Sequence, residues 1–343
     1  MNTQMQIRKS MKQKSRIGII GYGKMGRIRA DIICKRDDCK LVAVFDSDPS
    51  SSITKGNAVH VSQIEDLWNL GLDCVFICAY TSAVASYTKE ALRRGLHVFC
   101  EKPPALNLAQ MREVEKVYLA GDSVLKYGFN HRYHHSVMKA KEILDGGTLG
   151  RMLFIRSVYG KAGSIDFDKN WRNYKEFSGG GILIDQGIHM IDLISLFVGK
   201  PPRVHSKIVA TRLWDIESED NAMILFEGPQ KEPISLHSSA TQWRHKFQLE
   251  IYCEHGYITL DGILSQTLSY APERLTLGLR EHEDIFTGMG KPRETVYEFG
   301  QDDSWKMEID EFLNAAVHGS PVRHGSVNDA IAVMEILKEV YEG

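Results

Sequence analysis

No two of the six cysteines (Cys34, Cys39, Cys74, Cys78, Cys100, Cys253) form a CxxC pair, which removes the usual thiolate metal site and the usual redox motif. Four of them lie in or beside strongly apolar or strand-like segments, where cysteine serves as a small hydrophobe. Reduced thiols in the cytoplasm are therefore expected, and no metal site is read. An excess of either charge is also missing: 42 Lys and Arg stand against 44 Asp and Glu, a formal net charge of −2. That balance gives no electrostatic footprint for nucleic acid or an anionic membrane, and it points to a small-molecule partner. No apolar run approaches the roughly 20 residues that span a bilayer. The opening MNTQMQIRKSMKQKS is polar and basic without a signal-peptide apolar segment, so residues 1–15 read as a disordered basic tail. Internal repeats and low-complexity tracts are absent as well.

What is present is enough chain for two cores. With 343 residues, two domains are the starting expectation. From Arg16 onward, short apolar runs alternate with amphipathic stretches: RIGIIG, a helix near 24–36, KLVAVFD, a helix near 62–70, DCVFICAY, a helix over 83–94, HVFCEKP, a helix over 107–120, and SVLKYGFN. Continuous apolar strands separated by helices predict a parallel sheet covered on both faces, a doubly wound domain over residues 16–130. After a helix near 134–145 the pattern changes. RMLFIRSVYG, RVHSKIVATRL, NAMILFEG, ISLHSSATQW, FQLEIYCE and YITLDG follow one another with turns between them, which predicts a largely antiparallel open sheet in an α+β domain over 131–343. One long helix near 182–198 interrupts that sheet, and helices near 304–317 and 326–341 close the chain, the last opened by Ser326 and Asp329.

The segment Gly21-Tyr22-Gly23-Lys24-Met25-Gly26 follows a strand and opens a helix, the context in which GxGxxG is informative. Gly21 permits the tight turn, Gly23 lets backbone approach a pyrophosphate, Gly26 allows close packing, and the helix N-terminus presents free N–H groups. This is the signature of a Rossmann dinucleotide site. Asp46 ends the second strand 20 residues after Gly26, where a carboxylate accepts both ribose hydroxyls and repels a 2′-phosphate. NAD is favoured; NADP stays possible, because Ser47 tolerates phosphate.

Glu101 and Lys102 end the strand HVFCEKPP, at the edge where doubly wound sheets bind ligands. From that segment alone, Lys102 is equally a solvated strand-end charge. Gly179-Gly180-Gly181 precedes the helix ILIDQGIHMIDLISLF, whose Asp185, His189 and Asp192 stand four and three residues apart and so share one face. Asp185 is also readable as a structural partner of His189.

Taken together, GYGKMG, CEKP, FNHRY and NWRN…GGGILIDQGIHMIDL resemble, in order and spacing, the glucose–fructose oxidoreductase / inositol dehydrogenase (Gfo/Idh/MocA) family. The resemblance implies an NAD(P)-dependent oxidoreductase acting on a ring hydroxyl or ketone of a sugar or cyclitol, with Lys102, Asp185 and His189 as its catalytic group. It places Asn130, Arg132 and Tyr133 beside nicotinamide and substrate, and it matches Trp171 and Arg172 to a family pair. Core packing for Trp171 and a structural ion pair for Arg172 remain the alternatives. Family members often carry Thr-Pro after the fourth strand, where this chain has Ala79-Tyr80, so the nicotinamide pocket is expected to differ in shape there. In the implied chemistry His189 accepts the hydroxyl proton, Lys102 stabilises the alkoxide, and Asp185 orients the pair. A nucleotide-sugar 3-dehydrogenase or ketoreductase of glycan synthesis, an NAD-using glycosidase and a non-catalytic sugar or NAD sensor are the competing readings. The uncovered face of the antiparallel sheet suits a homodimer or homotetramer.

Overall fold

The computed structural model describes residues 14–48, 57–163, 166–280 and 292–343. The expected basic tail, apart from Lys14 and Ser15, lies outside the described residues. The first sheet is built from β1 (Ser15–Ile20), β2 (Cys39–Phe45), β3 (Val59–Val61), β4 (Cys74–Ile77), β5 (His97–Glu101) and β6 (Leu125–Gly128), all parallel, in the order β3-β2-β1-β4-β5-β6. β4 along its whole length and β1 from Ile17 onward are apolar because helices cover both faces. Those helices are α1 (Lys24–Ile33), α2 (Ile64–Trp68), α3 (Thr81–Arg93) and α4 (Leu108–Leu119). Strand order reverses between β1 and β4, so the crevice above their carboxyl ends is where this architecture receives a ligand.

The 3₁₀ turn Asn130–Tyr133 and α5 (His135–Asp145) lead into the second sheet. Its strands are β7 (Met152–Gly160), β8 (Arg203–Ala210), β9 (Asn221–Glu227), β10 (Pro233–Ser239), β11 (Lys246–Cys253), β12 (Gly256–Asp261), β13 (Glu273–Leu279) and β14 (Arg293–Phe299), in the order β14-β13-β12-β11-β7-β10-β9-β8. Every pair is antiparallel except β10 with β7. The strands β13, with Leu275, Leu277 and Leu279 alternating along it, and β14, at the sheet edge, extend the sheet beyond the six segments read from the sequence.

Between β7 and β8 lie the short α6 (Lys175–Ser178), a π-helical turn over Leu183–Gly187, and α7 (Ile188–Val198). The expected single helix over 182–198 is thus a π turn feeding an α-helix. Lys175–Val198 is long and apolar enough to cross a membrane by length and composition, contrary to the sequence expectation, yet 72% of its apolar window is buried inside the fold. α7 packs on β7 under the second sheet, which explains why a helix this apolar belongs to a core.

Packing does not follow the boundary at residue 130. α8 (Ser304–His318) returns to the first sheet and sets Ile309, Phe312 and Leu313 among Ile17, Ile19, Phe76 and Phe99. Phe312 meets Phe76 edge-on at a centroid distance of 5.3 Å. α9 (Val327–Glu342) starts from the expected Ser326/Asp329 capping box and packs on α4, α7 and β8.

Candidate active site

The glycine-rich turn closes as its sequence requires. Gly21 sits at φ +89°, and a Cβ there would lie 2.5 Å from the carbonyl carbon of Cys78. A Cβ on Gly26 would strike the Gly21 carbonyl oxygen at 2.0 Å, so the helix meets the turn backbone to backbone. Gly23, by contrast, faces open space with nothing within 4 Å of a built Cβ. It caps α1 without a side-chain acceptor, and Lys24 and Met25 carry the first N–H groups of the helix outward. The Asp46 carboxylate accepts from the Tyr22 amide, so it borders the same turn. A pyrophosphate fits the Gly23 approach and a ribose diol fits Asp46.

At the far side of the crevice, Lys102 leaves the end of β5 and donates to the backbone carbonyl of Asp185 at 2.5 Å, with its Nζ 3.4 Å from Oδ1. The π turn aims Asp185 into the crevice. Its carboxylate also takes the Lys161 ammonium on Oδ2 and Arg172 Nε on Oδ1 at 3.3 Å. Burial alone would raise the Asp185 pKa, but Lys161, Lys102 and Arg172 overcome it and hold the carboxyl well below its ordinary value. Burial lowers the Lys102 pKa, opposed by Asp185 and reinforced by Arg172 and Lys161.

His189, on the first turn of α7, is 5% exposed, and its Nδ1 has no hydrogen-bond partner. Burial, with the Lys102 charge beside it, holds the imidazole well below its usual pKa, so it is neutral. Its ring stacks on His131 at a centroid distance of 3.8 Å. His131 Nε2 lies 2.9 Å from the Tyr159 hydroxyl and Nδ1 lies 3.1 Å from Asn130 Oδ1.

Several expected site residues are spent elsewhere. Arg132 is 5% exposed and grips Asp192 through Nε at 2.8 Å and Nη2 at 2.6 Å, with Asp329 at 3.0 Å. Both Arg132 and Asp192 therefore face the interior, because the two charges can be buried only as a pair. The π turn accounts for Asp192 parting from Asp185, since its wider winding breaks the α-helical spacing that put them on one face. Tyr133 accepts from Lys126 Nζ at 2.7 Å, on the side of His324 rather than Asp185. Glu101 is paired with Arg29 of α1 at 2.7 Å, and Asn130 Nδ2 donates to Ser304 at 3.3 Å. Ala79 and Tyr80 do follow β4 at the crevice, and the Tyr80 ring meets Trp171 edge-on at 4.7 Å, tying the first sheet to the substrate side. Trp171 also lies under the Arg172 guanidinium at 4.4 Å.

Lys161, His131 and Tyr159 were not singled out by the sequence reading. Lys161 and Tyr159 stand at the end of β7, a strand that carries no motif. His131 lay inside the quoted FNHRY without a role. Only the spacing of Lys161 just past an inward-facing strand end offered a signal.

With this geometry in view, the comparisons agree from both ends of the chain. Residues 15–128 match the oxidoreductase family with an NAD-binding Rossmann fold, and residues 137–259 match the GFO/IDH/MocA C-terminal domain. Inositol 2-dehydrogenase of Rhizobium meliloti is 24% identical over 334 residues, covering 94% of each chain. D-glucoside 3-dehydrogenase of Escherichia coli is 32% identical over 192 residues, 54% of each chain. Among solved structures, GenD2 from gentamicin A biosynthesis in complex with NAD superposes with a TM-score of 0.78 at 22% identity, covering 97% of this chain and 94% of that one. A 3-ketoreductase from Actinomadura kijaniata, with NADP and TDP-benzene, gives 0.81 at 16% identity, covering 96% and 98%. The chain belongs to the Gfo/Idh/MocA oxidoreductases. It is an NAD(P)-dependent dehydrogenase or reductase acting on CH–OH groups.

Proposed function

We propose that this protein moves a hydride between NAD and a ring hydroxyl or ketone of a sugar or cyclitol, with Lys102, Asp185 and His189 as the catalytic group. The observation that carries the reading is the meeting of Lys102 with Asp185 one helical turn before a buried, neutral His189, at the carboxyl edge of the first sheet. With its pyrophosphate held at the glycine turn, a bound NAD would supply the hydride acceptor or donor. His189 takes the hydroxyl proton as the alcohol is oxidised and returns it in reduction. Lys102 donates to the reacting oxygen and offsets its developing negative charge, and Asp185 holds Lys102 in position. Trp171 and Arg172 line the substrate side. The test is NADH formation screened by absorbance against inositols, free aldoses, glycosides and nucleotide sugars. Turnover of no ring alcohol would sink the reading, whereas turnover of nucleotide sugars alone would favour the glycan-synthesis alternative.

NAD is expected to bind at least about tenfold more tightly than NADP, because the Asp46 carboxylate repels a 2′-phosphate. Titration of both dinucleotides checks this. Equal dissociation constants would remove the argument, and Asp46→Ala should narrow the gap.

The cytoplasm is the proposed compartment, in keeping with six cysteines that are all free thiols. Self-association through the second sheet is part of the same reading. Its outer face exposes Ile208, Met223 and Leu225 at 63%, 52% and 52%, around a hollow of about 710 Å³. An apolar face of this kind on an uncovered sheet fits a second copy of the same face. Light scattering at micromolar concentration is expected to give a dimer or tetramer, and Leu225→Lys with Met223→Lys should shift it toward monomer. A wild-type monomer would count against the inference.

A further inference from the structure

Asp185 is one carboxylate among three cations. Lys102, Lys161 and Arg172 all pair with it, and among the described residues none of the three pairs with any other acid. The neighbouring Glu101 carboxylate is turned to Arg29, which it shares with Glu308, and acts on Lys102 only as a longer-range charge. The histidines that face the cluster add no negative charge and are disfavoured as cations: His131 and His189 are held well below their usual pKa by burial, and His245 is lowered by burial and by Lys161. The phenols of Tyr159 and Tyr270 are pushed up by burial and stay neutral. The three cations therefore share a single directly paired carboxylate.

Uncompensated charge is costly in a partly buried site unless a ligand answers it. The alkoxide that develops on the reacting carbon answers Lys102, which leaves Lys161 and Arg172. Their side chains are 24% and 40% exposed, against 12% for Asp185, so both open toward solvent from behind the carboxylate. Arg172 is braced over Trp171, 4.4 Å from the ring centroid, and turns Nε toward Asp185. Its two Nη groups have no hydrogen-bond partner among the described residues, the arrangement that grips an oxyanion through two parallel bonds. Because both cations touch the same side chain as Lys102, the anion they would hold lies within about the width of one sugar ring from the reacting carbon.

We infer that the substrate carries an anionic oxygen group, a carboxylate or a phosphate, on the sugar or cyclitol ring itself, and that Lys161 and Arg172 hold it beside Asp185. The inference rests on the proposed hydride-transfer reading. A neutral ring would leave the two cations facing hydroxyls, each a weaker acceptor than an anion.

Binding separates this from the chemistry. The NADH-loaded protein is titrated with methyl glucoside, methyl glucuronide and glucose 6-phosphate, followed by quenching of NADH fluorescence, and the series is repeated with Lys161→Gln and Arg172→Gln. At least one anionic probe is expected to bind about tenfold to a hundredfold more tightly than methyl glucoside, the worth of a charge-assisted hydrogen bond. That advantage should shrink with added salt and close in either variant. A preference for the glucuronide assigns a ring carboxylate, and a preference for the sugar phosphate assigns a phosphate. Equal binding of the three, no binding by either anion, or a preference that survives in both variants overturns the inference. Failure of the hydride-transfer reading looks different: NADH binds, yet no ring alcohol reduces NAD whatever its charge.

Discussion

His189→Ala is expected to lower turnover by roughly 10² to 10⁴-fold, the range for a positioned acid–base group, while NAD affinity barely moves. The ring is buried and stacked on His131, so alanine also removes packing. His189→Asn keeps more of that contact without a basic nitrogen, and it should lose turnover to a similar degree with little change in melting temperature. Because burial and Lys102 hold the imidazole well below its usual pKa, the proton acceptor is already neutral at and below the pH where free histidine titrates. The acid limb of kcat for alcohol oxidation in the wild type should therefore fall below about pH 6.5, the ordinary histidine value. A His189→Asn variant with near wild-type turnover on the best substrate, or a wild-type acid limb at or above that pH, would remove His189 from the role.

Lys102→Ala is expected to cost turnover about as much, because a single electrostatic donor at a developing oxyanion is commonly worth about 2.7 to 4 kcal/mol. Asp185 keeps Lys161 and Arg172 after the change, so its carboxylate should stay ionised and the π turn in place. The loss should fall on the chemical step: deuterium at the transferred position should slow the variant at least as much as the wild type in single-turnover measurements. An unchanged kcat with a raised KM would show that Lys102 only binds substrate.

Much of the fold was legible in the amino-acid sequence. The strands of the first sheet announce themselves as apolar runs, and Gly21, Gly23 and Gly26 constrain the backbone whatever surrounds them, so a local pattern suffices. That Lys102, Asp185 and His189 come together was legible through spacing joined to a family resemblance. Arg132 was not, because its partners Asp192 and Asp329 come from helices 60 and 197 residues away, and no local signal says that a guanidinium will be absorbed in the interior. Lys161 was missed for the converse reason: on its strand it is an ordinary terminal charge until folding brings Asp185 to it. The π turn defeated the inference that Asp192 shares a face with Asp185, since α-helical geometry was assumed through Leu183–Gly187. Strand β14 escaped notice because an edge strand facing water on one side needs little apolar character, whereas the alternating Leu275, Leu277 and Leu279 of β13 were a signal left unread.

The return of α8 to the first sheet has a consequence for how the molecule comes apart. Arg29, fully buried, is neutralised by Glu101 within its own domain and by Glu308 from α8 at 2.6 Å, and it lies over the rings of Phe99 and Trp305. A fragment ending near residue 130 would keep the whole nucleotide crevice but expose Ile17, Ile19 and Phe76 where Phe312 had covered them, and would leave Arg29 half-matched. Such a fragment should aggregate or stay partly unfolded, and the whole chain should melt in one cooperative transition, because a helix made after the second sheet seals the core of the first. On the ribosome, the core beneath the dinucleotide site would then be closed only after α8 had emerged.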